Sequence, residues 1–413
     1  MNLIENTDIL IIGAGPSGCV ASAYLQKMGC KTIIVEKTKF PRIVVGESLL
    51  PRSMDHFEEA GLLDNLMLQG FEKKPGARFI RGQEICIFDF SKKFGKGWDW
   101  TWQVPRADFD LALTQDLQAK GIDLRFETEV IAVNFEENFS TTTIKNLEGI
   151  ESQIKAKFVI DCSGYGRVLP RMLGLDMPSQ LNPHSAIFTH IQDIRRPEGI
   201  EGTQISFDII EQEVWLWVIP FSNGNTSVGI VAPTTYIEEL STNDSLCEKL
   251  TNAINSSDFY RNRFGGLDFI FEPNHLKNYS IAVKQMFGKG YVLTGNSTEF
   301  LDPVFSSGVC FATESGLLAA KLAYKQLQGE NVDWQKSYSD HMEQGIKVFT
   351  TYIKEWYSGN LQTLFFHQPE DTDVKQKICA VLAGYVWNDE NPFVKKHDNL
   401  IKNMAHFINM SKE

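Results

Sequence analysis

The tightest constraint on this chain is a turn near its start, Gly13-Ala14-Gly15-Pro16-Ser17-Gly18, set between a strand-like run and a helix-like one. From Asp8 to Gly13 runs a short apolar segment that ends in glycine, the pattern of a strand buried on both faces of a parallel sheet. Gly18 to Gly29 reads as a helix and Lys31 to Glu36 as the next strand, which makes one strand–helix–strand unit. A GxGxxG string alone arises by chance. Here it follows a strand, opens a helix and precedes by about 20 residues an acid, Glu36, at the end of the second strand, as dinucleotide recognition requires. The first glycine makes the turn, the second lets the backbone approach a pyrophosphate, and N–H groups of the helix start face its charge. Glu36 is placed to accept from a ribose hydroxyl pair. Expected cofactor contacts are therefore Gly13, Gly15, Pro16, Ser17, Gly18, Glu36 and the adjoining Lys37.

Composition narrows the alternatives. A chain of 413 residues accommodates two or three structural units. With 43% hydrophobic and 22% charged residues, and no run near the roughly 18 uncharged apolar residues a membrane helix needs, a soluble protein is expected. The first residues carry no basic start and enter a strand pattern at once, so no signal peptide and a cytoplasmic home are expected. Seven scattered cysteines without a CxxC pair suggest reduced, mostly buried thiols rather than disulfides or zinc. A net charge of −12 argues against nucleic acid as a partner. There is no HExxH, no paired histidine spacing and no GxSxG turn, so no metal site and no serine nucleophile are expected.

Beyond the first unit, 83–102 is short-patterned and aromatic, and about 185–231 alternates like antiparallel strands, as in Trp215-Leu-Trp217-Val-Ile219. Glycine-bounded apolar strands return between these stretches and from about Gly288. The expected division is a discontinuous nucleotide domain at 1–82, 103–180 and 285–330, a sheet domain at 83–102 and 181–284 covering the cofactor, and a helical C-terminal region at 331–413. Helical spacing at Gly345–Tyr357 and Val374–Gly384 supports the last.

Trp102-Gln-Val-Pro-Arg106-Ala-Asp-Phe-Asp110, Val159-Ile-Asp161-Cys-Ser-Gly164 and Val292-Leu-Thr-Gly295-Asn296 resemble the successive fingerprints of the glutathione-reductase-like FAD monooxygenase superfamily. The resemblance implies an α/β protein: an FAD-binding Rossmann-like domain of the glutathione-reductase type, an antiparallel β-sheet substrate domain and a helical C-terminal region. It implies FAD as cofactor, with Arg106 on the flavin side, Gly164, Gly295 and Asn296 toward the pyrophosphate and ribityl chain, and Val130 among the contacts. The late pair is Gly295-Asn296 where the pattern has aspartate. Asparagine still accepts a hydrogen bond but without charge assistance, so a lowered FAD affinity is expected. No second nucleotide turn is present, so reduced flavin is expected from a separate reductase or from transient nicotinamide contact.

A narrower set, Phe40-Pro-Arg42-Ile-Val-Val-Gly46-Glu47-Ser48-Leu-Leu-Pro51, Lys73-Lys74-Pro-Gly76-Ala77-Arg-Phe79, Trp215-Leu-Trp217-Val-Ile219-Pro220, Phe300-Leu-Asp302-Pro303-Val-Phe305-Ser306-Ser307-Gly308, Glu355-Trp356-Tyr-Ser-Gly359 and Ala383-Gly-Tyr-Val-Trp387, makes the chain similar to flavin-dependent halogenases over nearly its whole length. A second string, Trp100-Thr-Trp102-Gln-Val-Pro105, is a decoy. In that family reduced FAD and oxygen oxidise a halide such as chloride, and hypohalous acid travels to a lysine beside an aromatic substrate. The resemblance implies Lys74 as that lysine and Ser307 and Gly308 as the halide cradle. It places Trp215 and Trp217 along the passage, with Arg42, Gly46, Glu47, Ser48, Pro303 and Gly308 around the cofactor. Phe305 stands where the tryptophan halogenases carry glutamate, which implies a phenol, a pyrrole or a carrier-tethered aromatic as substrate.

From the residues alone, Lys73 and Lys74 also read as a solvated surface pair, the two tryptophans as core, Ser307-Gly308 as mere ring support, and Asp302 as a structural cap. Rival functions share the FAD site without halide: an aromatic monooxygenase, a dehydrogenase or reductase of the geranylgeranyl-reductase kind acting on an isoprenoid-like chain, or a non-catalytic flavoprotein.

Overall fold

Ile9, Leu10, Ile11 and Ile12 are all buried, so the strand Ile4–Ile12 has apolar neighbours on both faces and takes the middle of a sheet. The computed structural model describes residues 4–240, 244–367 and 373–411. The parts of the expected ranges that fall on 1–3, 241–243, 368–372 and 412–413 lie outside the described residues. The first sheet has the order Phe287–Gly288, Tyr291–Leu293, Glu151–Asp161, Ile4–Ile12, Thr32–Val35, Asp123–Arg125. The pairings from Tyr291–Leu293 across to Asp123–Arg125 are parallel. Two antiparallel strands, Thr128–Phe135 and Ser140–Asn146, extend it from the Glu151–Asp161 side. The helices Pro16–Lys27 and Ser307–Leu327 pack against one another beside this sheet, although 291 residues separate their starts.

The second sheet has seven strands in the order Asn274–Leu276, His184–Gln192, Asn225–Pro233, Val214–Pro220, Ser206–Glu211, Gly76–Arg81, Glu84–Asp89. All neighbours are antiparallel except Ser206–Glu211 and Gly76–Arg81. Side chains alternate between its faces. Phe79, Phe188, Phe207, Trp215, Trp217 and Ile219 face the nucleotide unit and the C-terminal helices, whereas Ile80, Ile187, Leu216, Val218 and Ile230 face helices Leu246–Ser256 and Arg261–Phe264.

The boundary expected between 82 and 83 falls inside the hairpin of Gly76–Arg81 and Glu84–Asp89, both of whose strands belong to the seven-stranded sheet. The aromatic stretch 83–102 divides: its first strand joins that sheet, and Thr101–Gln103 pairs separately with Glu72–Lys74. Composition misplaced this cut because aromatic content does not track strand pairing: the hairpin partner 84–89 carries a single ring, Phe88, whereas Phe90, Phe94, Trp98, Trp100 and Trp102 all follow it. The helical C-terminal region is present, with Asp340–Tyr357, Asn360–His367, Asp373–Leu382 and His397–Met410. All seven cysteines are free thiols. No helix among the described residues is long and apolar enough to cross a membrane.

Candidate active site

The turn after Ile4–Ile12 leaves no room for a side chain. A Cβ on Gly18 would lie 2.0 Å from the Gly13 carbonyl oxygen, so the turn closes only with glycine there. Closure sets the helix Pro16–Lys27 directly on the strand end. That helix has no side-chain cap and no acid in its first turn, so its leading N–H groups remain open to an anion. Glu36 is buried beside it: one carboxylate oxygen accepts from Ala14 N at 3.0 Å, the other from Thr38 N and Thr38 Oγ1 at 2.9 and 2.6 Å.

These groups open onto a cavity of about 490 Å³ that continues to the start of the helix Ser307–Leu327. Gly13, Gly15, Pro16, Ser17, Glu36, Lys37 and Val130 line one end; Arg42, Gly46, Glu47, Ser48, Arg106, Gly164, Gly295 and Asn296 line its course. Pro303, Gly308, Trp215 and Trp217 also lie on its wall. Gly18, Ser307 and Lys74 stand behind the wall rather than on it. The turn at 13–18 and the segment 303–308 thus meet across one cavity.

The cavity suits a flavin adenine dinucleotide. Arg42 holds its guanidinium over the turn, 3.6 Å from Glu36 and 3.8 Å from Asp110, and its buried Nε has no hydrogen-bond partner. A buried donor left over at an open helix start is what a pyrophosphate oxygen satisfies. Arg106 is fixed by a two-pronged pair with Asp110, at 2.9 Å for each bond, and donates to the Val45 carbonyl at 2.8 Å. Asp110 was quoted in its motif but not expected as a partner; its spacing of four from Arg106 on one helix was the available signal.

Lys74 is the least expected side chain in its degree of burial, being 1% exposed. Its Nζ donates to Ser48 Oγ and to the Leu49 carbonyl, both at 2.8 Å, and lies 5.5 Å from the centre of the Phe90 ring. Ser48 is on the cavity wall, so one hydroxyl separates the amine from the cofactor space. Burial alone lowers the Lys74 pKa to about 7. The reading of a solvated lysine pair therefore splits: Lys73 lies over Trp100 at 4.7 Å, and Lys74 is inside.

Trp215 and Trp217 share one face of their strand, 6.3 Å between ring centres. Both indoles are pinned. Trp217 Nε1 donates to Ser227 Oγ at 3.0 Å, and its ring fills the space over Gly229, where a Cβ would come within 2.4 Å of it. Trp215 Nε1 donates to the Tyr357 hydroxyl at 3.2 Å; Tyr357 and Tyr279 in turn donate to Asp302 Oδ2 at 3.0 and 2.9 Å. Burial pushes the Asp302 carboxyl up, against the nearby His184 and these hydrogen bonds. Asp302 Oδ1 accepts from Val304 N at 2.9 Å, so Asp302 caps the turn and also anchors the tryptophan wall. The helix after it begins at Ser307 behind Ser306, which has φ +55° and no side-chain cap, leaving the N–H groups around Gly308 open at the cavity. Phe305 turns away into a cluster with Tyr352 and Trp356.

Glu47 carries a partner with no local signal in the sequence. His190, 143 residues on, places Nε2 at 2.6 Å from Glu47 Oε1, so an imidazole stands directly behind a buried carboxylate of the cavity wall. Gln103 was likewise missed: it donates to the Pro220 and Thr203 carbonyls and accepts from Ile205 N, clamping the decoy strand to the end of Val214–Pro220.

A parallel sheet ending in an open helix start, a buried acid beside that start and a covering sheet over the far end of one long cavity define an FAD-dependent oxidoreductase. The chain belongs to the FAD binding domain family, whose model matches residues 6–263. It is similar to a 1H-pyrrole-2-carbonyl-[peptidyl-carrier protein] brominase of Pseudoalteromonas luteoviolacea, with 27% identity over 94% of this chain and 95% of that one. It is also similar to a 1H-pyrrole-2-carbonyl-[peptidyl-carrier protein] chlorinase of Pseudomonas fluorescens, with 28% identity over 92% and 90%. Among solved structures, a flavoprotein/dehydrogenase from Cytophaga hutchinsonii shares 48% identity over 99% of this chain and 100% of that one, at a TM-score of 0.96.

Proposed function

We propose that this enzyme is a flavin-dependent halogenase acting on an electron-rich aromatic of the pyrrole or phenol type, with the substrate tethered to a carrier protein and reduced flavin supplied by a separate reductase. Lys74 carries the reading: a lysine buried next to the cofactor cavity, held by two neutral oxygens, with no carboxylate at salt-bridge distance among the described residues. When bound, reduced FAD supplies the electrons that activate oxygen for halide oxidation.

The chain's own groups then divide the work. Open N–H groups around Gly308 hold a halide at the helix start. Trp215 and Trp217, locked by Tyr357 and Ser227, keep the substrate from the flavin so that only a small oxidant passes. Lys74 has three N–H donors as an ammonium, of which Ser48 and Leu49 take two, so the third is free to hold hypohalous acid. As the neutral amine it spends both N–H groups on the same acceptors and keeps its lone pair for the halogen. With a pKa of about 7 both forms are present near neutrality. The support is this geometry together with the halogenating relatives.

The test is to supply the purified protein with reduced FAD, bromide or chloride, and a panel of free and carrier-tethered pyrroles and phenols. A halogenated product lost in Lys74→Ala is expected. Hydroxylation without halide, or dehydrogenation of a substrate, would overturn the reading.

A further inference from the structure

A second cavity, of about 300 Å³, lies against the face of the seven-stranded sheet opposite the aromatic wall and shares no lining residue with the cofactor cavity. Strand alternation explains what it contains. Phe79 points inward, so Arg78 points outward with Ile80 into the apolar layer of Tyr260 and Phe264, and it is 3% exposed there. An arginine in such a layer needs partners for its whole guanidinium. Arg78 has only some of them: Nη2 donates at 3.0 Å to Glu201, whose side chain is 54% exposed, the group lies over the Phe259 ring at 4.9 Å, and its buried Nε has no partner. Two further guanidinium groups line the same cavity. Arg263, 8% exposed, is held by Asp193, and Arg195 spends Nη1 on the carbonyls of Asn262 and Gly265 and leaves its other nitrogens open. Three arginines thus face one lining carboxylate, with Asp193 behind Arg263, in a chain of net charge −12.

We propose that this cavity binds a phosphate group carried on an organic arm, with the phosphate among Arg78, Arg195 and Arg263 and the arm against Phe259 and Tyr260. Guanidinium forks match phosphate oxygens, and a tetrahedral phosphate takes bonds from three separately oriented arginines where a planar carboxylate does not. The phosphate belongs either to a pantetheine arm or to a nucleotide. The proposal stands whether or not the enzyme halogenates.

Titration calorimetry on the FAD-loaded full chain tests it, with inorganic phosphate against chloride at equal ionic strength, then 4′-phosphopantetheine against pantetheine and NADPH against NADH. Phosphate-dependent binding is expected, at least tenfold tighter for one phosphorylated arm than for the same arm without its phosphate, and weakened at least tenfold in Arg78→Met. Arg195→Ala, a change at an exposed side chain, gives the same loss where Arg78→Met fails to fold. Preference for phosphopantetheine assigns the arm, preference for NADPH assigns the nucleotide, and binding of inorganic phosphate alone overturns the organic arm. Binding no stronger than that of chloride, or unchanged in Arg195→Ala, overturns the proposal.

Discussion

Lys74 Nζ lies 2.8 Å from Ser48 Oγ, so a buried amine and a hydroxyl of the cofactor wall form one continuous polar link. The position costs stability, since burial lowers the lysine's pKa from 10.5 to about 7. Between those values the folded protein has released a proton that the unfolded chain still binds. Stability from this group therefore rises with pH across about 7 to 10 and is lowest below 7, with a slope of at most about 1.4 kcal/mol per pH unit. Lys74→Met removes the slope. Urea unfolding of both proteins at pH 7, 8 and 9 should show the variant the more stable at pH 7 and the difference shrinking as pH rises; parallel profiles would place the amine in solvent.

What the sequence disclosed and what it hid follow from the range of each interaction. The glycine turn, Glu36 and the tryptophan spacing were legible because each is fixed within a few residues by backbone geometry: Gly18 must approach Gly13, and residues two apart share a strand face. The partners of those residues were not. Glu47 finds His190, and Trp215 finds Tyr357, only after two sheets and a C-terminal helix have packed, and no pattern in the chain names which of the eight histidines or eleven tyrosines arrives. The burial of Lys74 but not Lys73 is likewise a matter of strand phase, set when Glu72–Lys74 pairs with Thr101–Gln103.

The Glu47–His190 pair is expected to couple cavity and sheet. His190→Leu leaves a buried carboxylate without its donor, a loss of about 1.5–3 kcal/mol for a hydrogen bond to a charged group. Glu47→Leu alone removes the same bond, so the double variant should be less destabilised than the sum of the two, by about 1 kcal/mol or more. A denaturant double-mutant cycle measures this coupling, and strict additivity would show that the two side chains do not interact.

Asn296 occupies the cavity wall, and its backbone carbonyl already accepts from Arg167 at 2.9 Å. Restoring a carboxylate by Asn296→Asp adds charge to whatever hydrogen bond the side chain makes with the cofactor. FAD binding should tighten by about 3- to 10-fold, equivalent to roughly 0.6–1.4 kcal/mol. Flavin fluorescence quenching measures it; unchanged or weaker affinity would mean that this side chain does not reach the cofactor.

Tyr357 is the joint between Asp302 and the tryptophan wall, since its hydroxyl donates to the first and accepts from Trp215 Nε1. Tyr357→Phe keeps the ring and breaks both bonds, leaving a buried indole donor and one carboxylate bond unmade. At about 1 kcal/mol for each, stability should fall by roughly 2 kcal/mol while FAD content stays unchanged, because Tyr357 does not line the cavity. The sharper consequence is at Trp215, which loses its only polar anchor among the described residues and gains freedom to turn about its strand. Under the proposed function, the selectivity of the wall depends on that indole staying fixed. The variant should therefore form more halide-independent oxygenated product relative to halogenated product, a ratio read by mass spectrometry at saturating bromide. Trp217→Phe at the other indole provides the comparison, and an unchanged ratio in Tyr357→Phe would assign the hydroxyl to stability alone.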